Sequence, residues 1–266
     1  MKPTILLIND DGINSIGLLV MRKELEKLGN VVVVAPSEKR SGAGKSISVH
    51  DPVKMVKTRL ADGSEAYAIS GTPADAYFFA TGKILKHMPD LLVSGINLGE
   101  NIGIDSALSS GTIGAAFEAA LHGTPAISTS CYVPSLPGYR EDGKVSVREM
   151  ELTASITAKT AEYVLKNGMP EGVDVISINV PKMADPKKMR ITELYYKGYK
   201  NVFIEREGGY EMCWDFSVSP DTGSETDLYV ARKEGYISIT PIKIRFTHNK
   251  AALKDLLNFL SSSKMS

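Results

Sequence analysis

The sequence predicts an α/β protein, a doubly wound and mostly parallel sheet with helices on both faces, and three observations predict it. Short aliphatic runs recur at Thr4-Ile5-Leu6-Leu7-Ile8, Val31-Val32-Val33-Val34, Leu91-Leu92-Val93 and Val175-Ile176-Ser177-Ile178. Runs of that length and composition read as strands buried on both faces. Helical periods separate them, and Gly, Pro and Asn punctuate each change of pattern. At 266 residues the chain can bury a substantial core, as one α/β unit with an appendage.

The elements follow in order. After Gly12, residues Leu18, Met21, Leu25 and Leu28 share one helical face, closed by Gly29-Asn30 before the second strand; this is a βαβ unit. The second strand runs into Ala35-Pro36 and a polar loop, Ser37 to Gly44, which parallel topology returns to the sheet edge where the first strand ends. Tyr67-Ala68-Ile69 is a short strand, and Thr72, Pro73 and Asp75 suit the N-cap, N1 and N3 positions of the next helix. The strand from Leu91 opens into a glycine-rich loop, Gly95 to Gly103, and Ser109-Ser110-Gly111-Thr112 begins an Ala-rich helix ending near Leu121. Ala126-Ile127-Ser128 resumes the sheet, a helix covers residues 147–167, and Asp174 to Val180 is a further strand.

From residue 188 the period changes. Tyr210, Met212, Trp214 and Phe216 alternate with polar residues, and Gly208-Gly209 separates them from Val202-Phe203-Ile204, the pattern of a hairpin with one apolar face. A lone hairpin is marginal in water, so it either packs on the core or serves as an oligomerisation arm. Gly235 to Pro241 returns as a strand, and Leu253, Leu256, Leu257 and Leu260 give a terminal amphipathic helix expected to face inward. Residues 1–187 are read as the core, and residues 188–266 as the arm, returning strand and terminal helix.

Composition narrows the function. Lys+Arg and Asp+Glu number 31 each and the formal net charge is zero, which gives no global footprint for a nucleic acid duplex or an anionic membrane. Cys131 and Cys213 lie far apart without metal-ligand spacing. They read as idle thiols in a reducing cytoplasm, with a single disulfide as the alternative. Met1-Lys2-Pro3 leads straight into a strand and no apolar stretch is long enough to cross a bilayer, so a soluble cytoplasmic protein is expected.

The chemistry gathers at Asp10 and Asp11, at the end of the first strand. Parallel sheets bind ligands just beyond the carboxyl ends of their strands. Two adjacent like charges, partly shielded from water, are best relieved by a bound cation. Asp-Asp-Gly also suits a plain turn before a helix N-cap. The Ser41 hydroxyl, the Asn97 amide and the helix start at Ser110-Gly111-Thr112 belong to the same edge. Oxygen donors without His or Cys suit Mg²⁺, Mn²⁺ or Ca²⁺, and amides at a helix start bind phosphate oxygens. Plainer roles exist for each: Ser41 ending a loop, Asn97 holding a left-handed turn, Ser110 and Thr112 capping a helix. His50, His87, His122 and His248 fall outside these segments and read as structural.

Taken together, Asn9-Asp10-Asp11-Gly12, Ala35-Pro36 with Ser41-Gly42, Gly71-Thr72-Pro73-Ala74-Asp75, Pro89-Asp90 through Ser94-Gly95-Ile96-Asn97-Leu98-Gly99, Ser110-Gly111-Thr112, and Thr226-Asp227 with Gly235 to Pro241 resemble the survival protein SurE family in matching order. The likeness covers nearly the whole chain; Ile113, where the family pattern carries valine, is the one departure. The resemblance implies a three-layer, Rossmann-like core and a phosphomonoesterase of the 5′-nucleotidase type. Its substrates would be nucleoside 5′- and 3′-monophosphates, with short-chain polyphosphate left open. It further implies one divalent cation, Mg²⁺ or Mn²⁺, and a homodimer or homotetramer built through the C-terminal region. It places the cation on Asp10, Asp11, Ser41 and Asn97, catalysis on Asp10, Asp11 and Asn97, and substrate contacts on Ser110, Gly111 and Thr112, with Asn9 supporting them. A water attacking phosphorus in line is the favoured route, an aspartyl phosphate the competing one. A non-catalytic nucleotide or polyphosphate sensor would use the same anion hole, whereas a glycosyltransferase lacks the spaced Asp-x-Asp it needs. Tyr132 and Tyr139 are the candidates for stacking on a base.

Overall fold

The computed structural model describes residues 2–131, 147–198, 203–212, 218–219, 221–245 and 250–262. The opening βαβ unit comprises β1 (Thr4–Ile8), α1 (Ile16–Leu25) and β2 (Asn30–Pro36). There follow β3 (Met55–Arg59), β4 (Glu65–Ile69), α2 (Pro73–Phe79), β5 (Leu91–Leu98), α3 (Gly103–Ser109), α4 (Gly111–Leu121) and β6 (Ala126–Cys131). Then come α5 (Val147–Asn167), β7 (Val175–Val180), β8 (Met189–Ile191), β9 (Phe203–Arg206), β10 (Gly209–Met212), α6 (Asp227–Tyr229), β11 (Ile237–Ile242) and α7 (Lys254–Ser262).

The main sheet has the order β3-β4-β2-β1-β5-β6-β7-β11-β8. From β4 through β7 every pairing is parallel; β3 runs antiparallel to β4, β11 antiparallel to β7, and β8 parallel to β11. The chain is therefore the mixed, mostly parallel α/β sheet that its alternating runs predict. Successive residues of β1 point to opposite faces, as the period of two requires. Ile5 and Leu7 meet Leu18, Met21 and Leu25 of α1 and Met150, Ala154 and Ala161 of α5. Leu6 and Ile8 meet Ala76 and Tyr77 of α2 and Ile113, Ala116 and Phe117 of α4. Three layers result. Ile5, Leu6, Leu7 and Ile8 are all 0% exposed, and each such side chain stabilises the fold by about 1.5–3 kcal/mol.

Caps fix where the helices begin. Ser15 Oγ accepts the Gly17 N–H at 3.2 Å, so the cap of α1 falls on Ser15 and not on the acidic pair. Thr72 and Asp75 form a reciprocal capping box at α2, the arrangement that their spacing predicts.

Three features were not legible in the hydrophobic pattern. β3 is an edge strand whose residues are mostly exposed; pairing with β4 holds it, and no apolar stripe announces it. α3 is short and starts at a glycine. β5 continues to Leu98 through an irregularity between Ser94 and Asn97, so Asn97 lies on a strand. Met183 is the one non-glycine residue of positive φ among the described residues, which removes the left-handed turn as a role for Asn97.

The C-terminal region returns to the sheet through β8 and β11. Among the described residues β9 and β10 pair only with each other, in register Gly209↔Arg206 to Met212↔Phe203. Phe203, Tyr210 and Met212 on this hairpin are exposed, so these described residues do not pack on the core of their own chain. Val202, Trp214 and Phe216 lie outside the described residues, as do Tyr132, Tyr139, Cys213 and His248. The expectation that Leu253, Leu256, Leu257 and Leu260 face inward is corrected: they are 60%, 50%, 64% and 47% exposed. α7 packs chiefly on the 3-10 turn Lys250–Leu253 before it. An amphipathic period states that one face seeks cover, but not which surface supplies it.

Candidate active site

Because β1, β2 and β5 are parallel, their carboxyl ends Ile8, Pro36 and Leu98 reach one edge of the sheet. Asp10 and Asp11 follow β1 directly. Asn9, 0% exposed, braces the turn: its Nδ2 donates to the Gly12 carbonyl, and its Oδ1 accepts the Gly12 N–H, each at 3.2 Å. Gly12 has φ +96°, and a Cβ there would stand 3.2 Å from the Glu38 carbonyl carbon, so the turn and the loop after β2 close on each other only through glycine.

Asp10 is 4% exposed. Thr112 Oγ1 donates to its Oδ1 at 2.6 Å. Burial, then the charge of Asp11, pushes the Asp10 carboxyl up to about 6, while the Thr112 hydroxyl and amide pull it down. Asp11 Oδ2 accepts the Leu98 backbone N–H at 2.9 Å, and Oδ1 lies 3.6 Å from Lys39 Nζ. Asn97 donates through Nδ2 to the Gly99 carbonyl at 2.8 Å, so its Oδ1 is the atom that could coordinate a cation.

Ser41 is exposed, on a loop that is pinned on both sides of it. The Arg40 N–H donates to the Asp10 carbonyl at 2.7 Å and the Gly44 N–H to the Ser109 carbonyl at 2.7 Å. Further along, Asp75 accepts from the Ser48 N–H at 3.0 Å and the Ser48 hydroxyl at 2.7 Å, and Lys45 Nζ meets the buried Glu118 carboxylate at 2.6 Å. Asp75 thus does more than cap a helix.

Ser110 is the N-cap of α4, its Oγ accepting the Ile113 N–H at 3.2 Å. Gly111 packs against Asp10: a Cβ there would come within 2.8 Å of Asp10 Cβ. The positive end of α4 therefore faces the acidic pair, and Thr112 directs its hydroxyl to Asp10. Among the described histidines, His122 binds Glu118 at 3.2 Å and His87 lines a groove with Thr4 and Asn30 at the opposite sheet edge; His50 is exposed.

Sequence patterns missed what stands behind the site. Glu100, on the loop after Asn97, binds Arg232 through two guanidinium nitrogens, and burial pushes its carboxyl up to about 7. Asp227 accepts the N–H groups of Gly103, Tyr195 and Leu228 at 2.8, 2.9 and 2.8 Å. Asn101 and Asn179 join the loop after β5 to β7 by Asn101 N–H to Asn179 Oδ1 at 2.8 Å and Asn179 Nδ2 to the Asn101 carbonyl at 3.0 Å. Such pairs link distant segments and leave no local period to read.

The donor set suits a hard cation. Among the described residues no group of three or more His, Cys, Asp or Glu gathers as a metal cluster. A cation here would be held by two carboxylates completed by neutral oxygens of Asn97 and Ser41. Its charge would offset the burial and the Asp11 repulsion that together raise Asp10.

Residues 5–201 match the family described as Survival protein SurE. The chain belongs to the SurE family. A 5′-nucleotidase SurE of Archaeoglobus fulgidus is 39% identical over 248 residues, covering 91% of this chain and 92% of that protein. Another of Methanosarcina acetivorans is 41% identical over 254 residues, 93% of this chain and 94% of that one. The crystal structure of the SurE protein from Aquifex aeolicus matches with a TM-score of 0.73 at 30% identity, over 97% of this chain and 100% of that chain. Among the described residues of this SurE-family chain, no helix is long and apolar enough to cross a membrane. Cys131 is a buried free thiol, pushed up to about 11 by burial.

Proposed function

We propose that this chain is a divalent-cation-dependent 5′-nucleotidase that hydrolyses nucleoside monophosphates to nucleoside and phosphate. The observation that carries the reading is the acidic pair set against the N-terminus of α4, with Asp10 bonded to Thr112 at 2.6 Å. A cation between the two would join the carboxylates to an anion held at the helix start, the pairing that phosphoryl transfer uses.

Mg²⁺ or Mn²⁺ held by Asp10, Asp11, Asn97 and Ser41 would supply charge neutralisation and Lewis-acid polarisation of the ester phosphate. Thr112 keeps Asp10 ionised by donating to the carboxylate. Asn9 fixes the turn that carries both acids, and the Leu98 N–H sets the Asp11 plane. The Gly111 amide, with the Ser110 hydroxyl beside it, faces the equatorial phosphate oxygens, where the helix dipole of α4 stabilises the charge of an in-line displacement by water. The reading extends to 3′-monophosphates and leaves short-chain polyphosphate open, because every contact named is to the phosphate group.

The exposed hairpin and α7 are the surfaces through which residues 188–266 would build a homodimer or homotetramer. A free buried thiol at Cys131 fits a reducing cytoplasm. Phosphate release from AMP or GMP in Mg²⁺ or Mn²⁺, abolished by a chelator and by Asp10→Asn, tests the reading. Tight nucleotide binding without turnover would favour the sensor instead.

A further inference from the structure

The Leu98 N–H and the Lys39 ammonium approach different oxygens of the Asp11 carboxylate. Oδ2 accepts the Leu98 N–H at 2.9 Å, and Lys39 Nζ stands 3.6 Å from Oδ1. The Asp11 side chain is 7% exposed and that of Lys39 47%, so the carboxylate is fixed and the ammonium is the movable partner. The backbone beneath Lys39 does not share that freedom, because the next residue, Arg40, donates its N–H to the Asp10 carbonyl. A flexible four-carbon stem is thus anchored at the acidic pair with its charge over the site.

A divalent cation held by the pair would compete for Asp11 Oδ1, the oxygen that Lys39 Nζ approaches at 3.6 Å. Two positive charges cannot share that oxygen without strong repulsion. When the cation arrives, the ammonium must leave, and its tether keeps it at the mouth of the pocket, where a phosphate dianion offers a new partner.

We propose that Lys39 is the resident counter-charge of Asp11, competing with the divalent cation for Oδ1 and, once displaced, engaging the phosphate of the substrate. The inference rests on the reading of this site as a cation and phosphomonoester site. It makes the two ligands cooperative: phosphate gives the displaced lysine somewhere to go, so each tightens the other by the same factor.

The test is calorimetric titration of Mn²⁺ into the metal-stripped full-length protein, with and without inorganic phosphate, for the wild type, Lys39→Met and Lys39→Arg. Lys39→Met should bind Mn²⁺ alone about two- to fivefold more tightly, the span that loss of one exposed competing ion pair allows. It should also show a smaller tightening by phosphate than the wild type, the remainder coming from direct attraction between cation and phosphate, whereas Lys39→Arg keeps both behaviours. Mn²⁺ binding by Lys39→Met that is equal to or weaker than that of the wild type, or an unchanged phosphate dependence, overturns the role of Lys39 alone. If the wild type and Asp11→Asn both fail to take up Mn²⁺, the site reading fails, and Lys39 with it.

Discussion

The Thr112 hydroxyl donates to Asp10 Oδ1 at 2.6 Å across a separation of 102 residues. That bond opposes the burial that pushes the Asp10 carboxyl up to about 6. Thr112→Val keeps the shape of the side chain and removes the donor, so the Asp10 carboxyl should rise further. The acid limb of the pH–rate profile should move to higher pH, with kcat/KM at pH 7 falling by about 10–100-fold, as for the loss of a group that orients a metal ligand. Acid limbs that coincide for variant and wild type would contradict the assignment.

Asp10 itself destabilises the metal-free fold at neutral pH. Its carboxyl holds a proton more tightly folded, at about 6, than unfolded, near 3.8. Stability from this group is therefore full below pH 3.8 and is lost as pH rises through 6, by about 3 kcal/mol at most. Asp10→Asn should raise the Tm of the chelator-treated protein at pH 7.5 while abolishing phosphate release. Thermal melts across pH 4–8 check the sign: the gain should vanish towards pH 4.

Gly114 separates helix stability from loop position. Alanine is the better helix former by about 1 kcal/mol, yet a Cβ at Gly114 would stand 2.2 Å from the Gly44 carbonyl oxygen. Gly114→Ala should push the Ser41 loop off α4 and lower kcat/KM by about 100-fold, the effect of a displacement near 1 Å at a reacting site. Circular dichroism should show the helix content intact.

Arg232 compensates a buried charge behind the Asn97 loop. The Glu100 side chain is 5% exposed, and without its partner it remains an unpaired carboxyl in the interior. Arg232→Met should cost about 3–5 kcal/mol in denaturant unfolding at pH 8, and Glu100→Gln added to it should recover most of the loss. Burial raises the Glu100 carboxyl to about 7 even with Arg232 beside it and further without it, so acid neutralises Glu100 and the penalty of Arg232→Met should shrink as pH falls. A cost equal at pH 5 and pH 8 would argue against this reading of the pair.

The parallel sheet was legible because its strands are unbroken aliphatic runs, and the acidic turn because Asp10-Asp11-Gly12 interrupts one so sharply. Thr72 and Asp75 announced their helix by local spacing, and Ser110 did the same for α4. What sequence could not supply were relations between distant positions: the bond of Thr112 to Asp10, the hold of Arg232 on Glu100, the triple acceptance by Asp227. β3 escaped notice because an edge strand needs no apolar face. Leu253, Leu256, Leu257 and Leu260 misled for the opposite reason, since their period is strong yet all four are exposed among the described residues.

The position of β11 carries a consequence for synthesis. It is inserted between β7 and β8, so β8, made nearly fifty residues earlier, has no neighbour to join until Ile242 has left the ribosome. Until then β7 presents an unpaired strand edge, its outward N–H and C=O groups without the β11 ladder, although every residue assigned to catalysis has long been translated. A nascent chain stalled before Ile237 should therefore be prone to aggregation and to proteolysis near β8, with its chemistry spelled out and its architecture still unfinished.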